Sequence, residues 1–160
     1  MSGNTLQEGD HPMRAVVQRV KEAQVKVAEE IVGRIEAGLL IYLGIHQADK
    51  SEYLPVLADK IVNLRIFPNA EGRFDLSVKD KGGSLLIVSQ FTLYGDCRKG
   101  RRPNFQDAAP PELARTLYEE FLSIAASKGL TVASGTFQAH MDISSVNDGP
   151  VTIIIDHPQI

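Results

Sequence analysis

Four groups of residues in this chain have types and spacing suited to chemistry, and each has a plainer reading beside it. Gly149-Pro150 lies within Asn147-Asp148-Gly149-Pro150-Val151-Thr152, just before Ile153-Ile154-Ile155. The step joins the residue of widest backbone freedom to one whose preceding peptide bond tolerates the cis state. It can present bare carbonyls to a ligand, or simply be a turn feeding a last strand. Ser89-Gln90-Phe91-Thr92-Leu93-Tyr94 sets two hydroxyls, an amide and two aromatic rings where an apolar run surfaces. Such groups can hydrogen-bond an ester and a water; alternatively Ser89 and Thr92 cap a strand end while Phe91 and Tyr94 pack. Arg98-Lys99-Gly100-Arg101-Arg102 carries four cations in five residues. That density can hold phosphates and make binding depend on salt, or it is a solvated loop. His140 and Asp142 would share one face of a strand, which is ordinarily its solvated face.

The census of conventional catalytic motifs is otherwise negative. The chain has no HExxH or paired-cysteine spacing, no G-x-S-x-G elbow and no glycine-rich loop ending in Lys-Ser/Thr, so no metal and no nucleotide cofactor is expected. Of the four histidines, His11 falls in a polar N-terminal stretch, His46 in an expected loop and His157 near the C-terminus. A Ser-His-Asp triad has no strong candidate. The net charge of −3 excludes a generally basic nucleic-acid binder, so any RNA contact must be local. A single cysteine, Cys97, cannot form an internal disulfide and fits a reducing compartment, with the cytoplasm as the expected location.

These groups need a scaffold, and 160 residues with 43% hydrophobic content suffice for one core. Residues 1–12 are polar and lack a secretory pattern, and no apolar run is long enough to cross a bilayer. They are read as a disordered extension preceding a single domain over 13–160. Residues 15–20, 24–27, 31–35 and 38–45 alternate as four short strands of an antiparallel meander. Ser51 is placed to N-cap a helix carrying Leu54, Leu57, Ala58, Ile61 and Leu64. Residues 69–80, with Phe74, Leu76 and Val78 alternating, predict a hairpin or irregular loop. Residues 84–91 read as a buried central strand. Pro110-Pro111 opens a second helix with the stripe Leu113, Leu117, Phe121, Leu122 and Ala125, which Gly129 closes. Two strands follow, over 136–146 and 151–156. The class is α+β, with a mostly antiparallel, barrel-like sheet and two principal helices.

The segments Met13-Arg14-Ala15-Val16-Val17-Gln18-Arg19-Val20, Asn63-Leu64-Arg65-Ile66-Phe67, Ser89 to Tyr94, Arg98 to Pro103 and Val146 to Thr152 together resemble the D-aminoacyl-tRNA deacylases, formerly D-Tyr-tRNA deacylases, from Met13 to about Asp156. The resemblance implies a homodimer, without cofactor, that hydrolyses the ester joining a D-amino acid to the terminal adenosine of tRNA. It implies a cis Gly149-Pro150 step reaching into the partner's active site, where its carbonyls accept hydrogen bonds from the substrate ammonium and its bulk excludes an L side chain. By the same resemblance Arg19 steadies those carbonyls, and Ser89, Gln90, Phe91 and Thr92 line the ester. Phe137, Ala139 and Met141 match the adenosine pocket. The sequence departs from the family at Gln138, where a small residue, commonly glycine, is usual. The basic run Arg98, Lys99, Arg101 and Arg102 is the expected phosphate contact.

Two mechanisms stay open at this point. Thr92 as a nucleophile would need a base that the sequence does not offer. Backbone N–H groups near Phe91 and Thr92, with the substrate 2′-hydroxyl helping to activate water, need none, and this route is favoured. Two other functions are a dimeric RNA-binding module without catalysis and a deacylase of relaxed chirality. By the same resemblance Phe91 argues for the strict type, since relatives of relaxed chirality differ at that position. Glycine, having no side chain to reject, is an expected substrate.

Overall fold

The computed structural model describes residues 12–158. The expected extension lies outside the described residues except for Pro12, which is buried and whose carbonyl accepts a hydrogen bond from Tyr94. Strand β1 (Met13–Val27) is continuous where two strands were expected. It faces two cores in succession. Met13, Ala15 and Val17 pack into a cluster shared with the helices, and Val20, Ala23 and Val25 into a second cluster on the other side of the sheet. The change of face occurs at irregularities in its pairing between Gln18 and Glu22, which disturb the alternation and mimic a strand break in the sequence.

Strands β2 (Glu30–Ile35) and β3 (Gly38–Gly44) follow, yet they do not form the expected meander. Both pair antiparallel with β1, β3 along Arg14 to Val20 and β2 along Ala23 to Val27. Helix α1 (Tyr53–Val62) starts later than predicted: Glu52 is the N-cap and makes no side-chain capping bond. The Ser51 hydroxyl instead donates to Glu120 at 2.5 Å, and Leu64 lies beyond the helix end.

Strands β4 (Phe67–Pro68) and β5 (Phe74–Leu76) form a hairpin, one of the two alternatives expected over 69–80. Val78 does not continue it. It opens the short helix α2 (Val78–Lys81), because Ser77 and Asp80 exchange hydrogen bonds in a capping box. Strand β6 (Ser84–Ser89) pairs parallel with β3 and with β7 (Val132–Ser134). Leu39, Ile41, Leu43, Leu85 and Ile87 face the helix-side cluster, while Leu40, Leu86 and Val88 face the other. Burial on both faces accounts for the unbroken apolar runs of β3 and β6. Each fully buried leucine contributes about 1.5–3 kcal/mol.

Helix α3 (Pro111–Ala126) begins as expected on Pro110-Pro111, and Gly129 follows it at φ +83°. It packs Leu117, Tyr118, Phe121 and Ala125 onto the sheet with α1. Residues 136–141 form a turn, and the two strands expected over 136–146 and 151–156 are one, β8 (Asp142–His157), antiparallel to β1. The result is an α+β domain around a six-stranded mixed sheet, with β1 at its centre. No helix among the described residues is long and apolar enough to cross a membrane.

Candidate active site

Strand β6 ends at Ser89, and the chain turns at once into a 3-10 turn over Phe91–Tyr94. The turn is fixed from beneath. Gln90 N–H donates to the Leu43 carbonyl at 2.8 Å, and the buried Tyr94 hydroxyl lies 2.9 Å from the carbonyls of both Pro12 and Gly44. Burial drives the Tyr94 phenol far above its usual range, so it remains a neutral donor. Gly44 leaves room for that ring: an added Cβ would stand 2.8 Å from it. Nearby, Asp49 accepts from the N–H groups of Met13 at 3.1 Å and His46 at 2.6 Å. Its carboxyl is nevertheless raised to about 7, because burial outweighs the two donors.

Above this support the side chains of the turn are exposed. The Gln90 amide donates to the Thr92 hydroxyl oxygen, and among the described residues no basic side chain hydrogen-bonds that hydroxyl. Phe91 is 57% exposed and meets Phe105 edge to face at 5.2 Å. The N–H groups of Phe91 and Thr92 open the turn, where such groups have no partner inside it.

Ser89, Gln90 and Phe91 line a cavity of about 610 Å³ together with Phe137, Ala139 and Met141. Six of the residues singled out in the sequence are therefore brought together. Thr92 lies beside the cavity and is not among its walls. Phe137 is braced by α3: Tyr118 stacks on it at 6.0 Å, with its hydroxyl donating to the Ile87 carbonyl at 2.7 Å, and Arg115 stands 5.0 Å over its ring. Burial pushes the Tyr118 phenol up to about 12. Gln138 holds φ +65°, a conformation that side chains other than glycine adopt only at a cost.

Sequence reasoning missed Phe105, Ala108, Ala109, Pro111, Ala114 and Ile143 as site residues, and these complete the walls. Small residues immediately before Pro110-Pro111 were the one available sign, since a cavity beside a helix start needs short side chains there. His140 also borders the cavity, but it precedes β8 and does not lie on a strand face. It is 93% exposed, with Nε2 3.7 Å from an Asp142 carboxylate oxygen, the geometry of a solvated surface pair.

Gly149-Pro150 is not in that cavity. Along β8, Thr152 pairs with Gln18 and Asn147 with Val20, so four residues, 148–151, stand opposite the single residue Arg19. The excess is pushed outward as an exposed bend with a cis peptide bond at Gly149-Pro150 and φ +129° at Gly149. Asn147 staples it: its side-chain oxygen accepts from Val151 N–H at 3.3 Å, and its amide donates to the Thr152 hydroxyl at 3.2 Å. Arg19 lies underneath, 9% exposed, donating from Nη1 to the Ile66 carbonyl at 2.7 Å and from Nε to the Asp148 carbonyl at 3.2 Å. Its recorded bonds thus reach the residue before the Gly-Pro step, and the Gly149 and Pro150 carbonyls receive none from it. Phe67 and Phe74 flank the guanidinium at 5.9 and 5.7 Å.

The basic loop is exposed, and paired backbone bonds between Asp96 and Asn104, at 2.7 and 2.9 Å, close its base. Arg98 turns back onto Asp96 at 2.7 Å, which raises its pKa further, so it works as a clasp for the loop. Lys99, Arg101 and Arg102 make no ion pair among the described residues. No group of three or more potential metal ligands occurs among those residues.

The D-Tyr-tRNA(Tyr) deacylase family matches residues 16–156. A D-aminoacyl-tRNA deacylase of Alkaliphilus metalliredigens is 58% identical over 144 residues, covering 90% of this chain and 97% of its own length. That of Thermosipho africanus is 54% identical, covering 92% and 99%. Among solved structures, a protein titled c-Myc DNA Unwinding Element Binding Protein superposes with a TM-score of 0.85 at 39% identity, covering 91% of this chain and 99% of the other. A probable eukaryotic D-amino acid tRNA deacylase shares the fold, with a TM-score of 0.80 at 19% identity over 90% and 98% of the two chains. With a family match across nearly the whole chain and relatives above 50% identity at nearly full length, the chain belongs to the D-aminoacyl-tRNA deacylase family.

Proposed function

We propose that this D-aminoacyl-tRNA deacylase acts in the cytoplasm as a homodimer, in which the Gly149-Pro150 bend of one subunit closes the cavity of the other. The terminal adenosine rests against Phe137, Ala139 and Met141, and Lys99, Arg101 and Arg102 hold tRNA phosphates on a loop clasped by Arg98. The ester carbonyl faces the turn at Phe91 and Thr92. Water adds to that carbonyl with help from the substrate's own 2′-hydroxyl, the N–H groups that open the turn stabilise the oxyanion, and the ribose 3′-oxygen leaves with a proton. The carbonyls of Gly149 and Pro150 accept from the substrate ammonium, so an L side chain would collide with the bend. A D side chain points away from it, and glycine passes as well.

The observation that supports this reading most is one of placement. The bend is built with care, stapled by Asn147 and underlaid by Arg19, yet none of its residues lines the cavity of its own chain. A feature directed outward and absent from the cavity of its own chain suits a site completed by a second copy.

The test is complementation between two damaged subunits. Gly149→Ala damages the bend and leaves the cavity; Ala109→Trp fills the cavity and leaves the bend. Mixed subunits re-form one intact composite site and recover hydrolysis of D-Tyr-tRNA if the bend acts across the dimer, and stay inactive if it acts within one chain. Parallel assays on L-Tyr-tRNA and Gly-tRNA set the chirality: the strict reading expects L-Tyr-tRNA to survive at concentrations that clear the other two, and its hydrolysis at a similar rate would instead mark a relaxed deacylase.

A further inference from the structure

Arg115 differs in its surroundings from four of the nine arginines of the chain. Arg14, Arg19, Arg65 and Arg98 each engage a carboxylate. Arg115 makes no ion pair among the described residues, although Glu112 and Glu119 flank it on α3 at i−3 and i+4. It is exposed, follows the cavity residue Ala114, and carries its guanidinium over Phe137, which also lines the cavity. A cation resting on an aromatic face is oriented without being neutralised, so its donors remain available to an anion. The basic loop approaches the same cavity by another route, since Phe105, three residues beyond Arg102, belongs to the cavity's walls. The cavity is therefore flanked by two cationic features, one on the loop and one on α3.

We propose that Arg115 is a phosphate-binding residue for the 3′ end of the substrate RNA, taking the backbone phosphate next to the nucleotide whose base meets Phe137. The inference rests on the deacylase reading above, because only a nucleic-acid substrate brings a phosphodiester to this wall. Arg115 acts by positioning. It holds the strand from the α3 side while the loop holds it from the other, and the ester is suspended between them.

The experiment compares D-Tyr-tRNA with the 3′-D-tyrosyl ester of adenosine, which has the ester and the base but no phosphate, using wild type, Arg115→Gln and Arg115→Lys across a range of NaCl concentrations. Arg115→Gln should lower kcat/KM for the tRNA about tenfold, as expected for a lost charge-assisted contact. Its log–log salt dependence should be shallower by about 0.7, one phosphate on a single strand. The adenosine ester should lose less than about twofold, and Arg115→Lys should restore the salt slope. Equal losses on both substrates with an unchanged slope would mean that Arg115 only braces Phe137, and would overturn the proposal. So would full activity of Arg115→Gln on the tRNA. Wild type that hydrolyses neither substrate would mean that the deacylase reading itself fails and takes this inference with it.

Discussion

The cavity and the Gly149-Pro150 bend are built on opposite plans. The cavity draws its walls from four stretches of one chain, over a turn tied to the core through Tyr94 and the N–H of Gln90. The bend is a local excess of four residues against one on a single strand pair, held by one buried arginine and one asparagine. A cavity can be shaped by many weak contacts, each replaceable. On the proposed reading the bend is a filter that excludes a side chain by position and depends on a few strong contacts, so damage to it should be costlier than damage of similar size in the cavity.

The sharpest test of that contrast is Gly149→Ala. A Cβ at φ +129° would lie 2.8 Å from Val151 Cγ2 and 3.2 Å from Arg19 Nη2, so the backbone has to move. Displacement of the two carbonyls on the order of 1 Å should lower kcat/KM on D-Tyr-tRNA about 100-fold. Circular dichroism should report an intact fold, because the bend is exposed. Wild-type rate and wild-type rejection of L-Tyr-tRNA in this variant would remove the bend from the mechanism.

Arg19→Met comes next. It keeps an unbranched stem between Phe67 and Phe74 but strips donors from the Ile66 and Asp148 carbonyls. Each acceptor left unsatisfied in a buried setting costs about 1–3 kcal/mol, so denaturant unfolding should show a loss of about 3 kcal/mol in total. The ratio of D to L hydrolysis should fall with it. A loss of stability at an unchanged ratio would demote Arg19 to a brace.

Asp49 probes the other plan, in which the core supports the cavity. Its folded pKa of about 7 lies above the ordinary value of 3.8, so the fold favours the protonated carboxyl. That contribution to stability is complete below the unfolded value and is lost as pH rises through about 7. The thermal midpoint of wild type minus that of Asp49→Asn should therefore decline between pH 4 and pH 7, the interval set by those two values. A flat difference would mean that Asp49 is charged in the fold.

What was legible in the sequence follows the same division. The bend announced itself because Gly and Pro are rare in combination with a strand, and Asn147 and Thr152, which staple it, are its neighbours in sequence. The strands β3 and β6 and helix α3 carried periods or apolar runs long enough to read. The cavity's second half was not legible, because Phe105, Ala108 and Ile143 come from a loop and a strand start that share no period. The four cations of the basic loop looked equivalent, and only the closure of Asp96 on Asn104 separates Arg98 from the rest. The single strands β1 and β8 were each read as two, because the bulges that expose the bend also interrupt the alternation.

In and beside the cavity, substitutions should be milder, and Thr92→Ala is the informative one. The hydroxyl accepts a bond from Gln90 and is not among the walls, so its removal should reduce kcat less than about tenfold, the scale of one neutral hydrogen bond. A tRNA ending in 2′-deoxyadenosine should be the poorer substrate for wild type. An inactive Thr92→Ala with intact fold and oligomeric state would restore the nucleophile mechanism.

Gln138→Gly should have the smallest effect, and its sign is the point. The αL conformation at φ +65° costs a side-chain-bearing residue roughly 1–2 kcal/mol, while glycine loses about 0.5–1 kcal/mol of chain entropy on folding. The first figure is the larger, so the variant should be more stable, by about 1 kcal/mol or less, in urea unfolding. Its amide is exposed at the cavity rim and makes no recorded bond to the rest of the wall, so kcat should stay within about twofold of wild type, the range expected when an exposed group away from the reacting atoms is removed. A stabilised enzyme with a raised KM would show that Gln138 touches the nucleotide and that the strain is kept for binding. A destabilised one would mean that the side chain packs more tightly than its exposure implies, and the cavity would then share the bend's dependence on single residues.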